Sequence, residues 1–358
     1  MQKAIWKKVG KRTLQIVLPV AILAWIVYTL SGTWGQLASY KMQFNPWVLG
    51  LAFGGFLLQE LSYGLIWRSV LMRLGVRLDL RSCLRVYLAS EFVRYIPGNV
   101  WHVLTRILWV GKYGVSRPVA FASMVIELIT KLAAAALVFA VSLLFWPDVG
   151  NVAKLLHGAP IIPVLGVLVI LALLVVLHPR VLSGMLNAVL RIFKREPVKL
   201  MLRYRDILVI TLYWCVSWCI AGVAFFLLTL SIWPAAPLII LPLCIGVYAL
   251  VWDIGFVSVI TPSGLGVREG AMVLIFGLAF ALPAGLAGVL ALASRVVSTL
   301  AEILCVGLAY LSGGRQVRAI QLEQRAGTEK ETQPAASSDN ILEEEATQVG
   351  MEGGLGSD

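Results

Sequence analysis

At least six stretches of this 358-residue chain stay apolar for close to, or beyond, the roughly 17–25 residues that carry a helix across a bilayer. They include Leu14–Leu30, Trp47–Val70, Val119–Phe145, Ile161–Leu177, Asp206–Leu230, Pro237–Ile260 and Ala284–Leu311. Lipid offers no hydrogen bonds, so a spanning segment satisfies its own backbone as a helix or joins a closed barrel. Runs of this length and continuity predict helices, and so an all-α polytopic membrane protein. Composition agrees: 59% of residues are hydrophobic and 14% charged, against roughly half and about a quarter in soluble domains.

Charge divides the chain into three regions. Residues 1–13 hold five Lys and Arg and read as a basic cytoplasmic arm. Residues 14–312 read as the membrane domain, and residues 313–358 as an acidic, disordered cytoplasmic tail. Residues 319–358 carry nine acidic and two basic side chains, which leaves ten acidic against 28 basic in residues 1–318. Most of that excess marks cytoplasmic loops, and part of it suits anionic headgroups. The basic residues lie between spans, so nucleic acid is not an expected partner.

Counting spans and turns gives about eight crossings, with both termini in the cytoplasm and the protein in the inner (cytoplasmic) membrane. Two interruptions stand out. In Phe92-Val-Arg94-Tyr-Ile-Pro97-Gly98, the proline removes a donor and turns Ile96 away from helical geometry. Trp101 and Arg106 follow. The short segments on either side, with basic residues at both ends, predict a re-entrant hairpin. In Phe256-Val-Ser-Val-Ile-Thr-Pro262-Ser-Gly264-Leu-Gly266, a helix stops near the proline. A new one begins near Val267, with Arg268 and Glu269 in its first turn. That segment either crosses or re-enters. The two interruptions echo each other, a pseudo-repeat of two halves. Paired broken helices point to a transporter's binding site. Helix starts and guanidinium forks both suit phosphate.

At these residues the chain resembles the transmembrane region of lysylphosphatidylglycerol synthases and the stand-alone flippase-like membrane proteins related to it. The carriers are Arg94-Tyr-Ile-Pro-Gly-Asn-Val-Trp101 and Thr261-Pro-Ser-Gly-Leu-Gly-Val-Arg-Glu-Gly-Ala271. The second is close to the family's Pro-x-Gly-x-Gly-x-Arg-Glu signature. The resemblance spans roughly residues 10–312. It implies a bundle of about eight helices with discontinuous elements, acting on lipids. It also implies roles for Arg94, Pro97, Gly98, Pro262, Gly264, Gly266, Arg268 and Glu269. In the full-length synthases a separate soluble domain makes the aminoacylated lipid. The resemblance here covers only the membrane region, so aminoacyl transfer is not expected.

Other intramembrane charges come from the residues alone. Glu60 is mid-span, which is costly unless it faces protein or water. Glu127 and Lys131 stand one turn apart and read as a buried ion pair or a lining pair. Asp253 lies late in its span, and Arg295 and Glu302 are seven apart on the last one. Trp101 and Trp109 suit interface anchors or a headgroup cage.

These features predict a lipid translocator, flippase- or scramblase-like, for an anionic or aminoacylated phospholipid or another phosphate-bearing lipid. Arg94, Arg106 and Arg268 would hold phosphate, and acidic residues would balance them or meet an amine. No Walker A pattern occurs, so uphill transport would need an ion gradient or a partner protein. The alternatives are an intramembrane transferase with bases among Glu91, His102, Asp253 and Glu269, or a lipid-binding subunit that moves nothing. No cofactor is expected. The three histidines, His102, His157 and His178, are scattered and predict no metal site. The five cysteines read as small hydrophobes. Oligomeric state is left open by the sequence.

Overall fold

The computed structural model of the chain describes residues 43–91, 101–146, 161–192, 202–258, 264–280, 282 and 284–311. The basic arm, the first apolar run, the acidic tail, Arg94, Pro97, Gly98 and Pro262 lie outside the described residues. The chain divides into a unit over Met1–Ala309 and another over Tyr310–Asp358. The second contributes only Tyr310 and Leu311 to what is described.

Helix α1 covers Pro46–Arg73. The Asn45 side chain accepts from the amides of Trp47 and Val48, and Pro46 takes the first turn, where a missing N–H costs nothing. Helix α2 covers Leu80–Glu91. Asp79 starts it by accepting from the Ser82 amide at 2.9 Å. Helix α3 covers Trp101–Gly111, and α4 covers Arg117–Ser142, followed by a 3-10 turn at Leu143–Phe145. Helix α5 covers Ile161–Val176 and α6 Pro179–Ile192. The pair bends by 72° at a break, where Pro179 removes a donor.

Helix α7 covers Tyr204–Ile232, and α8 covers Leu241–Val257 after a 3-10 turn at Leu238–Ile240. Helix α9 covers Val267–Phe280, and α10 covers Ala284–Leu311. Helix α7 is the central post and packs on α1, α4 and α8. Its Gly222 sits directly on the backbone of Ile245 in α8, where a Cβ would collide. Small residues at such crossings let helices approach without a hydrophobic driving force.

The protein is thus an all-α, multi-pass membrane protein. Among the described residues, five helices are long and apolar enough to cross, or six if the bent pair is one span. The expected figure was about eight crossings in two echoing halves. One of them, Leu14–Leu30, lies outside the described residues, and α9, with 14 residues, is at about 1.5 Å per residue too short to reach across a hydrocarbon core of about 30 Å. Helices α2 and α3, with 12 and 11 residues, flank the expected hairpin and were not among the eight. The bent pair falls at Pro179, a break that the sequence reading treated only as the end of a span.

Candidate functional site

The site begins with the turn that leads into α9. Gly264 and Gly266 have φ of +66° and +84°, the left-handed region that glycine enters without a Cβ penalty. A Cβ on Gly264 would lie 2.5 Å from Cα of Gly255 in α8. The turn therefore rests main chain on main chain. The Gly266 amide donates to Glu269 Oε2 at 2.6 Å, so Glu269 caps its own helix. Arg268 and Glu269 stand in the first turn of α9, where the sequence placed them.

A cavity of about 200 Å³ opens among α2, α3, α4, α8, α9 and α10. Its polar wall holds Glu91, His102, Arg106, Glu127, Lys131, Arg268 and Arg295, and Trp252 and Phe256 supply much of the rest. A second chamber of about 20 Å³ lies among α1, α8, α9 and α10. Gln59, Glu60, Ser298, Thr299 and Glu302 line it. Trp252, Arg268 and Arg295 belong to the walls of both.

Arg106 is fully buried and already engaged. It pairs with Glu91 and, at 2.7 Å, with Glu127, and its Nε donates to Ser90 Oγ at 2.9 Å. The guanidinium lies 3.9 Å above the Tyr87 ring, and the Tyr87 hydroxyl donates to the same Glu127 at 2.7 Å. The sequence grouped Arg106 with the phosphate-holding arginines. Here two carboxylates from α2 and α4 hold its fork, and the cluster ties three helices together.

Glu127 and Lys131, one turn apart on α4, face different surroundings. Glu127 takes Arg106 and Tyr87. Lys131 sits in a cage of rings, with Nζ 3.8 Å from the centroid of Tyr63, 4.1 Å from Trp252, 5.0 Å from Trp214 and 6.0 Å from Trp218. Each ring face attracts the ammonium, and more strongly where water is excluded. Trp218 also donates to the Lys131 carbonyl at 3.2 Å.

Arg268 differs from Arg106. It is 8% exposed, lies 4.8 Å from the Tyr248 ring centroid, and its Nη2 has no hydrogen-bond partner. A buried donor left unmatched costs about 1–3 kcal/mol, and more when charged. An acceptor entering the cavity would recover that cost. Arg295 stands 3.9 Å from Glu269. Glu60 and Glu302 are buried in the small chamber. Asp253 belongs to neither wall among the described residues, and its Oδ1 is buried without a hydrogen bond. Trp101 opens α3, but its side chain lies outside the described residues.

The sequence reading did not single out Tyr87 or the cage residues Tyr63, Trp214, Trp218 and Trp252. It treated Glu91 and His102 only as candidate bases. Trp214 and Trp218 are one turn apart and so share a face, but nothing in the sequence ties that face to Lys131.

Membrane-crossing helices around a buried, cationic, aromatic-walled cavity define a multi-pass helical protein with a polar site inside its bundle. The sequence profile of the lysylphosphatidylglycerol synthase TM region matches residues 16–307, and the chain belongs to that family. Comparison with curated proteins gave no match.

Proposed function

We propose that this protein moves a phosphate-bearing lipid, an anionic or aminoacylated phospholipid among the candidates, between the leaflets of the cytoplasmic membrane. The headgroup enters the larger cavity while the acyl chains stay in the bilayer. Its phosphate accepts from Arg268 Nη2, with Arg295 and Lys131 adding positive charge on the same wall. The observation that carries this reading is the unmatched, buried Nη2 of Arg268, a residue in the wall of a cavity large enough for a headgroup. No bond is made or broken, so the protein acts as a translocator rather than as an enzyme. It either equilibrates lipid passively or draws on an ion gradient or a partner. In this reading about eight crossings place both termini in the cytoplasm, and Arg94 near Pro97-Gly98 serves the same headgroup from the other half.

The test is leaflet exchange of acyl-labelled phosphatidylglycerol and its aminoacylated analogue in proteoliposomes. Wild type should exchange at least one of them well above protein-free vesicles. Arg268→Ala, purified as a monodisperse protein, should lose about tenfold or more. Wild-type exchange no faster than in empty vesicles, or a variant at the wild-type rate, would overturn the reading.

A further inference from the structure

Asp253 takes no part in the contacts that build the cavity wall. It stands near the end of α8, a membrane-crossing helix, and its Oδ1 is buried without a hydrogen bond. The acids around the larger cavity are otherwise committed. Glu91 and Glu127 hold Arg106, and Glu269 caps α9 and stands 3.9 Å from Arg295. Two features make a charge on Asp253 costly to hold. A buried carboxylate oxygen without a donor forfeits its hydration, and the C-terminal end of a helix carries partial negative charge of its own. The offset comes from Lys131 of α4, whose charge acts on Asp253 across the packed α4–α8 pair. An ionisable side chain held in a span in this way belongs to an ion pathway or a proton relay more often than to the framework.

Lys131 also belongs to the wall of the larger cavity. Its Nζ lies 4.1 Å from the ring centroid of Trp252, the neighbour of Asp253 in sequence. One cation therefore serves two anions, Asp253 and a phosphate entering the cavity. A phosphate held by Arg268 draws on the charge that offsets Asp253, and the two anions repel each other through a medium of low dielectric. A proton on Asp253 removes that repulsion. Headgroup binding and proton binding then strengthen each other by the same factor. Other groups surround the pair. From α4 comes Glu127, held by Arg106, and from α9 come Arg268 and Glu269. From α7, the Trp218 ring meets that of Trp252, with the thiols of Cys215 and Cys219 beside it in sequence. His102 and Arg295 complete the ionisable wall from α3 and α10.

We propose that Asp253 is the proton-carrying site of the translocator, so that a proton and a phosphate-bearing, anionic headgroup bind and cross together. This rests on the phosphate reading of the larger cavity. The proton comes from water on one side of the membrane, binds a carboxylate oxygen of Asp253, and returns to water on the other side. The O–H bond of that carboxyl group is the bond made and broken. A proton gradient thereby drives the lipid in the direction in which the proton falls.

The first experiment needs no transport. Dioctanoyl phosphatidylglycerol, whose phosphodiester stays ionised throughout, is titrated against the detergent-solubilised full chain at about pH 5.5 and about pH 8.5. Wild type should bind about fivefold or more tighter at the lower pH. Calorimetry near neutral pH, in two buffers of different ionisation enthalpy, should show proton uptake on binding. Asp253→Asn keeps the shape of the neutral acid and should bind almost equally at both pH values, with no uptake. His102 also titrates in this range, so His102→Gln is the control and should keep the pH dependence. Wild-type affinity independent of pH overturns the proton site and keeps the phosphate reading. So does a dependence that survives Asp253→Asn or vanishes in His102→Gln. A wild type that binds at neither pH overturns both. A last arm needs no variant. In proteoliposomes under a pH gradient, acyl-labelled phosphatidylglycerol should accumulate in the leaflet facing the alkaline side, beyond its distribution in protein-free vesicles. Exchange that ignores the gradient keeps translocation and overturns the proton coupling.

Discussion

The guanidinium of Arg106 lies 3.9 Å above the ring of Tyr87, and the Tyr87 hydroxyl and Arg106 bind the two oxygens of one carboxylate, Glu127. The ring screens one face of the cation while its hydroxyl helps neutralise the anion. Arg106 is consequently a framework residue within the cavity wall, joining α2, α3 and α4 through Glu91 and Glu127.

Removing that cation should be severe. Arg106→Met leaves two buried carboxylates without their partner, and losing one member of a buried ion pair costs about 3–5 kcal/mol. Thermal unfolding in detergent should show a large fall in Tm, or no stable protein. Tyr87→Phe keeps the ring and loses one hydrogen bond to a charged acceptor, so about 1.5–3 kcal/mol is expected. Equal, small effects would show that the cluster does not hold the helices.

Arg268→Gln should behave in the opposite way. The native Nη2 has no hydrogen-bond partner to lose, and the contact with the Tyr248 ring is worth about 0.5–2 kcal/mol, so stability should fall by no more than about 2 kcal/mol. Measured beside Arg106→Met in the same unfolding assay, the pair separates a framework arginine from one held ready for a ligand. A collapse of Arg268→Gln comparable to that of Arg106→Met would contradict this division.

Gly264→Ala combines a left-handed φ of +66° with a Cβ 2.5 Å from the backbone of Gly255. Backbone strain of this sort costs about 1–3 kcal/mol. Because the turn also positions Arg268, weaker headgroup binding should accompany the loss of stability. Gly75→Ala, with φ of +83° but open space around it, should lose stability without affecting headgroup binding. Binding titrations of the two variants make the comparison.

Asp79 provides a pH-dependent element at the start of α2. Burial raises its carboxyl pKa, but hydrogen bonds from Ser82 and from its own backbone amide, with the positive charge of Arg85, together outweigh that and leave it below the usual carboxylate value. The cap is therefore fully present above the ordinary carboxylate range, and its contribution fades as pH falls through the lowered pKa. Asp79→Ala should cost about 1 kcal/mol near neutral pH and progressively less in acid. Unfolding across pH 3–7, wild type against variant, should show the two curves converging at low pH.

Much of the α9 start was legible because its cause is local. Pro262, Gly264 and Gly266 forbid a continuous helix, and Val267-Arg268-Glu269 then begins one with a self-capping carboxylate. The apolar runs were legible for a similar reason, since their length alone argues for helices in lipid. The partners of the charges were not legible. Glu127 and Lys131 at one-turn spacing suggested each other. Yet Arg106 reaches Glu127 from a separate helix, and the rings around Lys131 come from three elements far apart in sequence. The segment after Pro262 was left as crossing or re-entering, because hydropathy does not mark where a short apolar helix such as α9 stops.

The rest of Gly264 on Gly255 has a mechanical consequence. Two stretches of bare main chain touch there, with no rotamer to change and no methyl group to repack. The clearance has a single setting, as between gauge blocks in a workshop. Arg268 follows four residues later, and Gly255 also lies beside its Cβ. Arg268 and Trp252, three residues before Gly255 on α8, are thereby fixed to a common datum. Any stroke that carries the arginine has to carry the tryptophan as well, so this part of the wall travels as a plate rather than as a set of independent fingers.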